Sequence, residues 1–112
     1  MSVWNTAGAL ATVVLGLLGL VRPDLAARFT SIEPVGLLGR SEVRATYGGF
    51  FFTLGVALLW SGDPLAYRVV GAAWAGAALG RLASAWLDHS RSPQNFGGVA
   101  FEAAIGALLL VP

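Results

Sequence analysis

Four long apolar stretches, separated by short polar segments, set the pattern of the chain. The first 21 residues carry no charged side chain, and Asn5 and Thr6 are the main polar breaks between Val3 and Val21. At ~1.5 Å of rise per residue, a helix over that stretch covers roughly 30 Å, the thickness of a bilayer's hydrocarbon core. A second charge-free stretch runs from Ala45 to Gly62 and ends at the turn signal Gly62-Asp63-Pro64. The third, Val69 to Leu87, holds one charge, Arg81; the last, Phe96 to Val111, holds one, Glu102. Between them, Asp88 to Asn95 is the most polar segment and reads as a loop. Strands on their own leave backbone groups unsatisfied in lipid, so the pattern predicts an all-α, integral membrane four-helix bundle. A cleaved leader needs a positive n-region before a shorter apolar core. No Lys or Arg precedes Val3, and Arg22-Pro23-Asp24 follows Val21 directly, so the first stretch is expected to be retained as a span.

The connector from Arg22 to Arg40 has its own pattern. Leu25, Phe29 and Ile32 recur at spacings of four and three, with Asp24 and Arg28 on other faces. This predicts a short interfacial helix between the first two spans, begun at Pro23-Asp24; a plain loop with a few apolar residues is the other reading. Arginine placement gives an orientation. The first and third connectors share a side and hold Arg22, Arg28, Arg40 and Arg91, whereas the opposite side has only Arg68. The positive-inside rule then predicts a multi-pass protein of the cell inner membrane with both termini outside the cytoplasm.

Composition sharpens this reading. Hydrophobic residues make up 56% of the 112 and charged residues only 12%, about half of the ~25% typical of soluble domains. One domain, residues 1–112, is what this length predicts. A net charge of +1 without any basic run gives no footprint for nucleic acid. With no cysteine and a single histidine, His89, in a polar loop, the sequence offers no haem or transition-metal cluster. Ser84 has no histidine base near it in sequence, and no phosphate-binding glycine loop of the P-loop type is present. No enzyme activity and no cofactor are therefore expected. Trp4, Trp60 and Trp86 fall near span ends, as aromatic belts do, while Trp74 lies deeper and is expected to pack.

Small residues suggest how the helices meet. The third span has a ridge at four-residue spacing, Ala72, Gly76, Gly80 and Ser84; the first has Gly8, Thr12 and Gly16; in the fourth, Gly98 and Gly106 bracket Glu102. Such ridges let helices approach closely in lipid. They either line the inside of one bundle or face a second copy of the chain.

The residues a membrane should reject are the most informative. Arg81 lies seven residues before Asp88, and Glu102 seven after Asn95, so both sit roughly 10 Å into antiparallel helices. An unpaired charge at that depth costs several kcal/mol, which makes the two each other's expected partners. On the second span, Arg40, Arg44 and Tyr47 fall on one α-helical face, with Glu42 off it; Arg81, Ser84 and Asp88 share a face of the third. If these faces converge, one cluster holds Glu42, Arg44, Tyr47, Arg81, Ser84, Asp88 and Glu102.

The stretch Gly39-Arg40-Ser41-Glu42-Val43-Arg44-Ala45-Thr46-Tyr47-Gly48-Gly49 resembles the signature of DUF4345, a family of uncharacterised bacterial membrane proteins. So do Gly80-Arg81 followed by Ser84 and Asp88, and the lone glutamate of the last helix. The family is similar to DoxX-like four-helix membrane proteins. The resemblance implies the fold, marks Glu42, Arg44, Arg81 and Glu102 as family-like positions, and implies no reaction.

Two roles fit the cluster. Matched ion pairs would fix the register of helices made mostly of Ala, Gly and Leu. Alternatively, the cluster forms an inner-leaflet pocket for a lipid headgroup or small anion, for which arginine's planar donor fork is suited. Small multidrug transporters also have four spans and act as dimers, but they resemble this chain poorly: they place their carboxylate in the first helix, and here that helix has none. The expected function is a binding or accessory component in the bilayer, alone, as a homo-oligomer or within a larger membrane complex. The alternative is a homo-oligomeric small-solute transporter or channel gated by the Arg81–Glu102 pair.

Overall fold

A computed structural model describes residues 1–112, which form five helices and no strand. Helix α1 is Val3–Val21, α2 is Pro23–Phe29, α3 is Gly36–Ser61, α4 is Pro64–Leu87 and α5 is Pro93–Leu110. Proline opens α2, α4 and α5, where a missing N–H costs nothing. Asp63 and Ser92 cap α4 and α5 by accepting from Leu65 N at 2.9 Å and Asn95 N at 3.1 Å. Two helices, α1 and α3, are both long and apolar enough to cross a membrane, with mean hydropathy of 1.7 and 1.2. α4 and α5 reach 24 and 18 residues and are richer in alanine.

Helix α3 begins at Gly36, well before the charge-free stretch that predicted it. Arg40, Ser41, Glu42 and Arg44 end an apolar span without ending a helix, because arginine and glutamate are good helix formers. Within α3, Arg44–Phe50 adopts a wider π-helical turn. The α-helical face expected to carry Arg40, Arg44 and Tyr47 therefore does not persist: i→i+5 bonding shifts Tyr47 around the axis relative to Arg44.

The chain divides into two compact units, Ala9–Ser61 and Met1–Gly8 with Gly62–Pro112. In the first, α1 and α3 meet backbone to backbone. A Cβ on Gly19 would overlap the Tyr47 carbonyl, and one on Gly16 the backbone of Phe52; a Cβ on Gly48 or Gly55 would stand 2.8 Å from Leu20 N or 2.6 Å from Val13 Cγ2. Two adjacent glycines, Gly48 and Gly49, make the wide turn sterically cheap, and that turn is where Gly48 meets α1. Helix α2 packs Ala26 and Ala27 on Val43, with Leu18 and Tyr47 against them. It ends in a Schellman motif: Ser31 N donates to Arg28 O at 3.1 Å and Ile32 N to Ala27 O at 2.8 Å, with Ser31 left-handed at φ 60°. The predicted short helix is thus present, but it stops at Phe29, and Ile32 lies beyond it.

In the second unit, α4 and α5 form an antiparallel hairpin. Its seam on α4 is Tyr67, Gly71, Trp74, Ala78, Arg81 and Ala85, alternating steps of four and three, and all but Arg81 are buried. On α5 it is Asn95, Gly98, Glu102, Ile105 and Leu109, again at steps of three and four. Gly106 lies against Gly71 O and Ala75 N, and Gly8 lies against Leu109. The glycines predicted on α1 and α5 thus pack within the chain. The α4 ridge does not: Ala72, Gly76 and Gly80 are exposed, and nothing comes within 4 Å of a Cβ placed on Gly76 or Gly80. Tyr67 and Trp74 bury far more apolar area than any small-residue ridge, so they rotate the buried face of α4 onto their own stripe.

Candidate functional site: the Arg81–Glu102 seam pair

Both charged residues occupy seam positions that otherwise hold apolar or small side chains. Arg81 follows Ala78 by three residues, and Glu102 precedes Ile105 by three. Arg81 Nε donates to Glu102 Oε1 at 2.5 Å; the arginine side chain is 32% exposed and the glutamate 15%. Access depends on Gly98, where a Cβ would stand 2.8 Å from Arg81 Nε and 3.0 Å from its Cζ. The guanidinium lies on the bare backbone of α5 at that point. A charge-assisted bond is stronger than a neutral one, yet this one engages one nitrogen only. Nη1 and Nη2 make no hydrogen bond within the chain.

The Asp88–Ser92 loop braces this pair from the hairpin end. Asn95, nearly buried, donates through Nδ2 to Arg81 O at 3.2 Å and to Ser90 O at 2.8 Å. Arg91 Nε donates to Ala85 O at 3.0 Å. Of these acceptors, Ala85 O is one of the four carbonyls that end α4 without an intrahelical donor, and Arg91 satisfies it. Ser84 Oγ donates to Asp88 Oδ2 at 2.8 Å, so Asp88 is held on its own helix and does not pair with Arg81.

The remaining predicted members lie in the Ala9–Ser61 unit and form a different arrangement. Glu42 and Arg44 are exposed and make no ion pair with each other. Glu42 Oε1 accepts from Thr46 Oγ1 at 2.8 Å. Arg44 Nη1 donates to Leu20 O, placing a cation on the C-terminal turn of α1 where the helix dipole is negative. Tyr47 packs on the α2 cluster and meets the Phe51 ring edge-on at 5.8 Å. Nearby, Asp24 lies 3.5 Å from Arg22 and 3.7 Å from Arg28. The Arg22 hydrogen bond holds the Asp24 carboxyl below its ordinary range.

One polar residue that the sequence marked only as a break in the first span carries a structural role. Asn5, 7% exposed, donates through Nδ2 to Leu108 O, Leu109 O and Val111 O at 2.9, 3.2 and 3.0 Å. It caps the C-terminal end of α5 from the first turn of α1. The signal available in advance was a carboxamide near the end of an otherwise apolar helix, where an orphan carbonyl is the partner such a group can find.

Fold and geometry together define an all-helical protein with two helices able to cross a membrane and a charge pair in a helix seam. Over residues 2–112 the chain matches the family model of DUF4345, a domain of unknown function, and it belongs to that family. No curated protein and no solved structure matches it.

Proposed function

We propose that the chain is a DoxX-like inner-membrane protein that crosses the bilayer four times, with both termini outside the cytoplasm. In this reading it is a binding or accessory component that holds an anionic headgroup or small anion at Arg81. The observation that carries it is the way Arg81 is held. Glu102 takes Nε and fixes the side chain, while Nη1 and Nη2 remain unengaged on a group that is one-third exposed. Those two donors match a phosphate or carboxylate. The membrane reading is supported by α1 and α3 and by large apolar side chains exposed along the helices, among them Val14, Leu17, Val69 and Leu79. The arginine asymmetry supports the orientation.

A thermal-shift series on the full chain in neutral detergent tests the binding role. Dioleoyl phosphatidylglycerol, dioleoyl phosphatidylcholine and inorganic phosphate are added separately. Binding to the folded state alone raises stability by ~2.7 kcal/mol at a hundredfold excess over Kd. Phosphatidylglycerol is expected to raise the midpoint in the wild type and not in Arg81→Gln, with phosphatidylcholine inert. A matching rise with inorganic phosphate assigns the site to free anions as well. An equal response in Arg81→Gln, or no response to either anion, overturns the assignment. Organic-acid flux in proteoliposomes that Glu102→Gln abolishes would establish transport instead.

A further inference from the structure

Large apolar side chains between the end of α2 and the first turn of α3 are exposed. Val35, Leu37 and Leu38 are 85%, 85% and 83% exposed, among the highest values in the chain, and Phe29 and Ile32 follow at 59% and 38%. They follow in close succession from the end of α2 to the first turn of α3. Helix α2 itself is a poor lipid anchor: it buries Ala26 and Ala27 inward and turns Asp24 and Arg28 outward. The apolar tip begins where α2 ends.

Its height relative to a bilayer follows from helix length. Trp60 near the end of α3 is 90% exposed, as an interfacial tryptophan would be. From Trp60 to Leu38 is 22 residues, roughly 33 Å along the axis at ~1.5 Å each. The hydrocarbon core is ~30 Å thick, and an average tilt of ~20° shortens the projection to about 31 Å. With Trp60 at one boundary, Leu38 falls at the other. Arg40 lies one turn after Leu37, is exposed and has no partner in the chain, so its long side chain is free to reach phosphates from just inside the boundary.

We propose that Phe29, Ile32, Val35, Leu37 and Leu38 form a lipid-inserted foot, seated at the boundary between headgroups and acyl chains of the leaflet that α1 and α3 reach at this end. The occupant of this surface is lipid, and the inference rests on the reading that α1 and α3 cross the bilayer. The foot would fix the vertical position of α1 and α3 and keep the wide turn of α3 beneath the headgroups.

Site-directed spin labelling of the full chain in phosphatidylcholine–phosphatidylglycerol nanodiscs tests this, since the sequence contains no cysteine to remove. Labels go on Val35→Cys, Leu38→Cys, Glu33→Cys and, as a mid-span reference, Val14→Cys. Collision rates with oxygen and with a water-soluble nickel chelate give depth. Val35→Cys and Leu38→Cys are expected to favour oxygen several-fold over Glu33→Cys, at a depth of ~5–10 Å from the headgroup surface. If Val14→Cys reads deep while Leu38→Cys reads as water-exposed, the foot is refuted and the membrane reading stands. If Val14→Cys also reads as water-exposed, the membrane reading fails first. Inaccessibility to both reagents at Leu38→Cys, with spin–spin broadening, would mean that a second copy covers the tip and would also refute the foot.

Discussion

Arg81 and Glu102 face each other across the α4–α5 seam, joined by one hydrogen bond from Nε to Oε1 at 2.5 Å. Each occupies a position where its neighbours along the seam are apolar or small, and Gly98 provides the space that lets them meet. Removing one partner leaves the other charge in a poorly solvated place. A fully buried pair loses about 3–5 kcal/mol that way, and a guanidinium that is one-third exposed should lose less, about 2–3 kcal/mol.

A double-mutant cycle measures this coupling. Arg81→Met and Glu102→Gln should each lower stability in detergent, Glu102→Gln less so because its amide oxygen can still accept from Nε. The double substitution should cost less than the sum of the two by about 1 kcal/mol or more. Strict additivity would mean the contact carries no energy.

The pairing was legible from sequence distance alone, because two antiparallel helices joined by a short loop put equal spacings at equal depth. Arg44 and Glu42 were not legible in the same way. Both sit on a helical extension outside the apolar stretch, and a wide turn breaks the α-helical periodicity that groups Arg44 with Tyr47. The ridge Ala72, Gly76 and Gly80 does not line the inside of the chain, for a different reason. Spacing identifies a face, but which face is buried depends on the largest apolar side chains, here Tyr67 and Trp74. Short helix α2 was readable from its proline, and its end was not, since Ser31 gives no hint of a left-handed residue.

Asn5 holds three carbonyls at the end of α5. Asn5→Leu, similar in volume, removes all three bonds and leaves acceptors that are partly buried. At ~1 kcal/mol net for each bond, the expected loss is about 2–3 kcal/mol, read by denaturation in mixed micelles. An unchanged midpoint would show that water replaces the carboxamide.

Glycine positions separate contact from open space. Gly19→Ala drives a methyl group into the Tyr47 carbonyl, so it should cost about 3 kcal/mol or prevent accumulation of folded protein. Gly76→Ala meets nothing within 4 Å and should be neutral or stabilising by up to ~1 kcal/mol through helix propensity. A loss at Gly76 as large as that at Gly19 would mean that another chain covers this face of α4.

Ser31 closes α2 at φ 60°, where a side chain is strained and glycine is not. Ser31→Gly is expected to raise stability by about 0.5–1 kcal/mol, and Ser31→Ala to leave it level or lower. A drop with glycine would show that the connector gains more from a restricted backbone than it loses in strain.

In the proposed reading all four long helices cross the bilayer, which places the Arg81–Glu102 pair within it. Accessibility of single cysteines to a membrane-impermeant maleimide in intact cells tests this most directly. Ser2→Cys should label from outside, while Ser31→Cys and Ser92→Cys should label only once the cytoplasmic side is opened. Ser92→Cys labelled from outside while Ser31→Cys stays protected would contradict it: α1 and α3 alone would then cross, and the pair would lie outside the membrane.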